Sequence, residues 1–220
     1  MKFIPIEEIF EIILRYHKEN FNHYLQRLKM AEEGVKLILV GNAAVGKTSL
    51  VNCFLGLPFD QEVLSTNMAS YQRKFVQSAN GENVRLDIWD TAGQEKFRTM
   101  LPIYFRTAAI ALLCFDKSNI DSIDEWYSTV YQAAPQCHIF LVLTKSDLYE
   151  DSIEELRTRM YEKGENMNIS NCFITSAKQD MGIKELFEKA ATVATQVELP
   201  QTNSVKFNEK GDSGKKKCNC

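Results

Sequence analysis

The apolar run Val35–Val40 leads directly into Gly41-Asn42-Ala43-Ala44-Val45-Gly46-Lys47-Thr48, which fits the pattern G-x-x-x-x-G-K-[ST], and a helical stretch follows near 47–57. No other feature limits the fold as strongly. A strand, a glycine loop and a helix in that order turn several backbone N–H groups toward one point, where the helix dipole also favours negative charge. Such a cradle suits phosphate oxygens. Lys47 adds a point charge for the β and γ positions, and the Thr48 hydroxyl, followed by Ser49, is placed to ligate Mg²⁺. A glycine turn fitting by chance is the plainer alternative, and the strand immediately before the loop speaks against it. The pattern alone does not separate ATP from GTP.

Around this loop, short apolar runs alternate with amphipathic segments. The runs Val35–Val40, Tyr71–Gln77, Val84–Trp89, Ala109–Phe115, His138–Thr144 and Cys172–Thr175 read as strands. Helical stretches fall near 47–57, 95–105, 120–133, 152–163 and 180–197. Continuous β-branched runs between helices predict an α/β fold: a six-stranded, mostly parallel sheet with helices on both faces. Asn80-Gly81, in the short loop between the second and third runs, is a hairpin signal that makes this one pair antiparallel.

The chain divides into an N-terminal helical extension at 1–33, a globular domain at 34–199 and a polar tail at 200–220. In the extension, Phe10, Leu14, His17, Phe21, Tyr24 and Leu28 share one helical face. That face can dock on the domain or bind a partner. The tail begins at Pro200 and carries net charge +3, whereas the whole chain, with 26 basic and 29 acidic residues, is net −3. This acidic balance argues against nucleic-acid binding. No apolar run approaches the roughly twenty residues of a membrane span. Glu7, Glu8 and Glu11 interrupt any secretory signal, and Lys2 stands where myristoylation needs glycine. Six cysteines are too few for a disulfide scaffold, so a reduced, cytoplasmic protein is expected.

Further along come Asp90-Thr91-Ala92-Gly93-Gln94-Glu95, then Thr144-Lys145-Ser146-Asp147, then Ser176-Ala177-Lys178. Together with the loop at 41–48, and in this order, they resemble the signature set of Ras-superfamily GTPases over residues 35–197. Trp89, the run Gln94-Glu95-Lys96-Phe97-Arg98, Ile103-Tyr104-Phe105-Arg106 and the double-cysteine end make the Rab branch the nearest likeness. The resemblance implies a P-loop NTPase fold and a switch that binds GTP with Mg²⁺ and hydrolyses it to GDP and phosphate.

The same resemblance assigns roles. Thr48, Asp90 and Thr66, the last nineteen residues after Lys47, hold Mg²⁺, with Thr66 engaged only when GTP is bound. The Gly93 N–H contacts the γ-phosphate; for catalysis, Gln94 orients the attacking water and Lys47 stabilises charge on the β and γ oxygens. Phe59 packs on the guanine edge, the Lys145 stem covers the base face and the Ala177 N–H reaches guanine O6. Asp147 selects the base: its carboxylate accepts from guanine N1 and N2, whereas adenine offers no such donor pair. Ser176-Ala177-Lys178 supports that role against the plainer reading of Asp147 as a solvated loop acid. Tyr71, Trp89 and Tyr104 form the aromatic trio that Rab effectors read, or simply pack in the sheet.

Several positions depart from the family pattern. Thr144 replaces the usual Asn and lacks an amide able to bond the base and brace the 41–48 loop. Ala43 and Ala44 stand at loop positions often held by Gly or Ser; a side chain at Ala43 can crowd Gln94 or an arginine finger and slow hydrolysis, but a methyl is small. Asn67-Met68-Ala69-Ser70-Tyr71 is unusual for switch I and implies unusual effectors and exchange factors.

Cys218-Asn219-Cys220 resembles the Rab C-x-C end, geranylgeranylated on both cysteines, with Lys215, Lys216 and Lys217 adding attraction to anionic lipid. The resemblance thus implies a peripheral protein on the cytosolic face of intracellular membranes, acting in vesicle-mediated transport. Its implied partners are exchange factors, GTPase-activating proteins, effectors, a GDP-dissociation inhibitor and the prenylation machinery. Two alternatives stand beside it: a pseudo-GTPase scaffold that holds nucleotide with little hydrolysis, and an ATP-dependent P-loop kinase or ATPase, disfavoured by Asp147 and Ser176-Ala177-Lys178.

Overall fold

The computed structural model describes residues 34–62, 66, 69–93 and 101–197. The expected helix at 1–33, the switch-I positions Asn67 and Met68, Gln94 and the tail with Cys218 and Cys220 lie outside the described residues.

Six strands form one sheet: β1 Val35–Val40, β2 Ala69–Gln77, β3 Asn83–Thr91, β4 Ile110–Phe115, β5 His138–Leu143 and β6 Cys172–Ile174. Their spatial order is β2-β3-β1-β4-β5-β6, with every pairing parallel except β2 with β3. The antiparallel pair turns where Asn80-Gly81 predicts: Gly81 N–H donates to the Ser78 carbonyl at 2.9 Å, and Gly81 takes a φ of 78°. Both strands run further toward the loop ends than their apolar runs, because cross-strand pairing from Ala69–Thr91 to Gln77–Asn83 carries polar residues into the ladder.

Alternate residues of the central strands feed two cores. Val35, Leu37 and Leu39 of β1, with Ile110 and Leu112 of β4, face one layer; Ile38, Val40, Ala111 and Leu113 face the other. Helices α1 (Lys47–Phe54) and α5 (Ile183–Ala194) cover the first layer, while α2 (Leu101–Phe105), α3 (Ile123–Ala133) and α4 (Ile153–Asn166) cover the second. Burial on both faces is why these strands read as continuous apolar runs instead of alternating ones. Of the stretch expected to be helical at 95–105, only Leu101–Phe105 is described, and it is helical. The helix expected to begin at 120 opens instead as a 3₁₀ turn over Lys117–Ser122, capped by the Asp116 carboxylate accepting from Ser118 N–H at 3.1 Å. No helix among the described residues is long and apolar enough to cross a membrane.

Phe187 of α5 is fully buried and stacks on Phe54 of α1, ring centroids 3.6 Å apart and planes within 9°. Truncation leaves a cavity between α5 and α1, the helix that follows directly from the glycine loop. Phe187→Ala is expected to cost about 3–5 kcal/mol in urea unfolding, with a lower midpoint and an unchanged slope; a midpoint at the wild-type value would show that this stack does not hold the layer.

Candidate functional site

Gly41 follows β1, Gly93 follows β3, Thr144 follows β5 and Thr175 follows β6, so the motifs meet at the carboxyl edge of the sheet. With β3 and β4 flanking β1, this edge includes a reversal of strand order, where open α/β sheets form their ligand crevice. A cavity of about 450 Å³ opens there.

The loop after β1 can turn so tightly because Gly41, at φ 134°, lies against β4: a Cβ there would stand 2.0 Å from the Cys114 carbonyl oxygen. Its chain then curls around Lys47. The Lys47 ammonium, only 6% exposed, donates to the carbonyls of Gly41 at 2.9 Å and Asn42 at 2.7 Å. Burial holds its pKa below the ordinary lysine range, while the Asp90 carboxylate works the other way.

Beside it, three oxygen-bearing side chains converge. Thr48 Oγ1 donates to Asp90 Oδ2 at 2.6 Å, and Thr66 Oγ1 lies 2.8 Å from Thr48 Oγ1 and 3.3 Å from the same Oδ2. Asp90 is 1% exposed; burial raises its pKa against the opposing pull of the Thr48 hydroxyl and Lys47. Its Oδ1 is buried with no hydrogen-bond partner among the described residues. An unpaired carboxylate oxygen next to two hydroxyls is a hard-oxygen donor set that fits a small divalent cation. No cluster of three or more His, Cys, Asp or Glu occurs among the described residues, so the hydroxyls must complete any such set. Gly93 presses on the same loop: a Cβ on it would meet the Asn42 carbonyl carbon and oxygen at 2.3 Å.

Across the cavity, Asp147 Oδ1 accepts from the Ser176 hydroxyl at 2.6 Å, and Ser176 Oγ accepts from Gln179 N–H at 3.1 Å. Lys145 takes a left-handed φ of 55°, and its Nζ donates to Asp116 Oδ2 at 2.8 Å. Burial tends to raise the Asp116 pKa, but hydrogen bonds from Lys145, Ser118 and Asn119 outweigh it and hold the carboxyl below its usual range. Thr144 differs from expectation. Its Oγ1 lies 2.5 Å from the Val45 carbonyl and 3.0 Å from that of Phe115, so a hydroxyl supplies the loop brace that a missing amide was expected to forfeit.

Ala43, Ala44, Gly46, Lys47, Thr48 and Ser49 line the cavity from the glycine loop; Thr144, Lys145, Asp147, Ala177 and Lys178 line it from the loops after β5 and β6. Phe59, 42% exposed, Thr66 and Gly93 also contribute to its wall. Asn42, Val45, Asp90 and Ser176 are not wall residues but bond to ones that are, namely Lys47, Thr144, Thr48 and Asp147 respectively. Tyr71, Trp89 and Tyr104 are neighbours, with Tyr71 and Trp89 centroids 5.2 Å apart and Trp89 and Tyr104 6.0 Å apart, a contact that fits both an effector face and packing on the sheet. Sequence reasoning missed Asp60, Gln61, Leu148 and Thr175 in the wall and the Asp116 hub behind it. Asp116-Lys117-Ser118 does carry a capping signal, but nothing local shows its bond to Lys145, twenty-nine positions on.

A model described as the Ras family matches residues 36–196. The Ras-like GTP-binding protein RYL2 of Yarrowia lipolytica is 37% identical over 172 residues, spanning 74% of this chain and 82% of its own length. The Ras-related protein Rab-5B of Plasmodium falciparum is 33% identical over 171 residues, spanning 76% of this chain and 81% of its own. A probable Rab-related GTPase of Acanthamoeba polyphaga mimivirus is 29% identical over 182 residues, spanning 81% and 84%. With the family match covering the sheet and every cavity loop, the chain belongs to the Ras family and is a small GTPase of the Rab type.

Proposed function

We propose that this GTPase is a switch for vesicle-mediated transport, cycling between GTP and GDP bound with Mg²⁺. The observation that carries this reading is one cavity walled at once by Thr48 and Thr66, with Asp90 bonded behind them, and by Asp147, held from behind by Ser176. A triphosphate lies along the glycine loop, its oxygens accepting from the loop N–H groups and from Lys47. Thr48, Thr66 and Asp90 hold Mg²⁺, which when bound neutralises charge on the β and γ oxygens. Lys47 exchanges its two loop carbonyls for phosphate oxygens, and the N–H of Gly93 reaches the γ-phosphate. Gln94 orients the attacking water, and an arginine from an activating partner completes the charge stabilisation.

Asp147 fixes the base. One carboxylate oxygen is held by the Ser176 hydroxyl, so the group is oriented before ligand arrives and accepts from both guanine donors without reorganising. Loss of the γ-phosphate removes the tie to Gly93 and weakens that to Thr66, releasing both switch segments. Effectors read the result at Tyr71, Trp89 and Tyr104, and exchange factors, activating proteins and a GDP-dissociation inhibitor act on the same segments. Geranylgeranyl groups on Cys218 and Cys220, with the tail lysines, hold the protein on the cytosolic face of intracellular membranes.

Two outcomes test this mechanism. Asp147→Ala removes two charge-assisted hydrogen bonds and is expected to weaken GTP and GDP binding by about 10²–10⁴-fold in competition against labelled GDP; unchanged affinity overturns the guanine assignment. Gln94→Leu is expected to slow single-turnover phosphate release by about tenfold or more while GTP affinity stays at the wild-type value; an unaltered rate removes Gln94 from the reaction.

A further inference from the structure

Behind the cavity runs a chain of polar contacts that no ligand-facing role explains. Asn42, the second residue of the glycine loop, uses its side chain away from the cavity wall. Its Oδ1 accepts from the indole N–H of Trp126 at 2.7 Å, and its Nδ2 donates to Asn119 Oδ1 at 2.7 Å. Asn119 Nδ2 donates to Asp116 Oδ1 at 2.8 Å, and Asp116 Oδ2 accepts from Lys145 Nζ at 2.8 Å. The relay therefore links α3, the phosphate side of the cavity and the loop that carries Lys145 and Asp147.

Its direction is fixed at both ends. An indole N–H only donates, so Asn42 must turn its oxygen toward Trp126 and its amide nitrogen toward Asn119. An ionised carboxylate only accepts, so Asn119 must turn its nitrogen toward Asp116. Neither amide can flip without facing donor against donor or acceptor against acceptor. The anchor itself is rigid: Trp126 is 1% exposed and packs in the core that also holds Phe105, Ile123 and Val130. What the relay holds is consequential, because the Asn42 carbonyl is one of the two that accept from Lys47 and the one against which Gly93 presses.

We propose that Trp126 is a positioning residue of the nucleotide site: its indole N–H, acting through Asn42, keeps the glycine loop seated and slows nucleotide release. This rests on the nucleotide reading of the cavity. Thr144 braces the base side of the same loop through the Val45 carbonyl, and its neighbour Lys145 ends the relay at Asp116, so the two halves of the site join in one hydrogen-bonded frame.

The test is release of fluorescently labelled GDP, with Mg²⁺ and excess unlabelled GDP, from the full chain and from Trp126→Phe, Asn42→Ala and the double variant. Phe keeps most of the buried ring and removes only the donor. Trp126→Phe, which removes one hydrogen bond, is expected to speed release by about threefold to tenfold, and Asn42→Ala, which removes two, by at least as much. The double variant is expected to release no faster than Asn42→Ala, since both act through one contact. Release from Trp126→Phe at the wild-type rate overturns the proposal, as does a double variant whose acceleration is the product of the two singles, because packing alone would give that. Asn119→Ala leaves the indole and its packing intact and must also speed release; a wild-type rate there overturns the relay even if Trp126→Phe does not fold. Wild-type protein that loads no GDP sinks the nucleotide reading itself, whereas wild-type loading with unaltered variants sinks only the relay.

Discussion

Lys47 places a positive charge where water scarcely reaches it, and the surrounding loop takes the shape that charge demands. Burying an ammonium without partners is costly enough to unfold a marginal domain. Two backbone carbonyls and the nearby Asp90 carboxylate offset that cost. Carbonyls can point inward like this only if the chain curls tightly, which needs glycine at position 41 against the β4 backbone and a left-handed turn at Gly46. Phosphate oxygens are better acceptors for the same ammonium than peptide carbonyls. The loop is thus held ready by weaker versions of the bonds it makes to its ligand.

The central strands and the cavity loops were legible because both depend on local pattern. β1 and β5 are apolar but for Lys36 and His138 near their starts, and β4 is apolar throughout, since each has a neighbour on both edges and helices on both faces. Element ends were less legible. The 3₁₀ turn at Lys117–Ser122 answers to the cap at Asp116, and β3 runs to Thr91 because β2 pairs with it there, not because its residues are apolar. Thr144 shows the limit most plainly. Composition says that an amide is gone, whereas the fold shows that a hydroxyl one bond closer to the backbone reaches the Val45 carbonyl instead.

The bonds that organise the site from behind were invisible for a related reason. Trp126 to Asn42 and Lys145 to Asp116 join residues eighty-four and twenty-nine positions apart, with no shared motif. In a linear reading, Trp126 is one more apolar residue on an amphipathic helix. Only the packing of α3 beneath the sheet edge brings its one polar atom to the loop. Polar groups of otherwise apolar residues are a recurrent blind spot of pattern-based reasoning, since burial and hydrogen bonding are decided by the neighbour, not by the residue.

Between Gly93 and the carbonyl of Asn42 there is clearance for a hydrogen atom and nothing larger. Two loops from different strands therefore meet like gear teeth, and displacement of either is passed on by steric contact without any change in charge. Such a junction has little slack: a fraction of an ångström at the root of the first loop must be met by a matching shift at Gly93 itself.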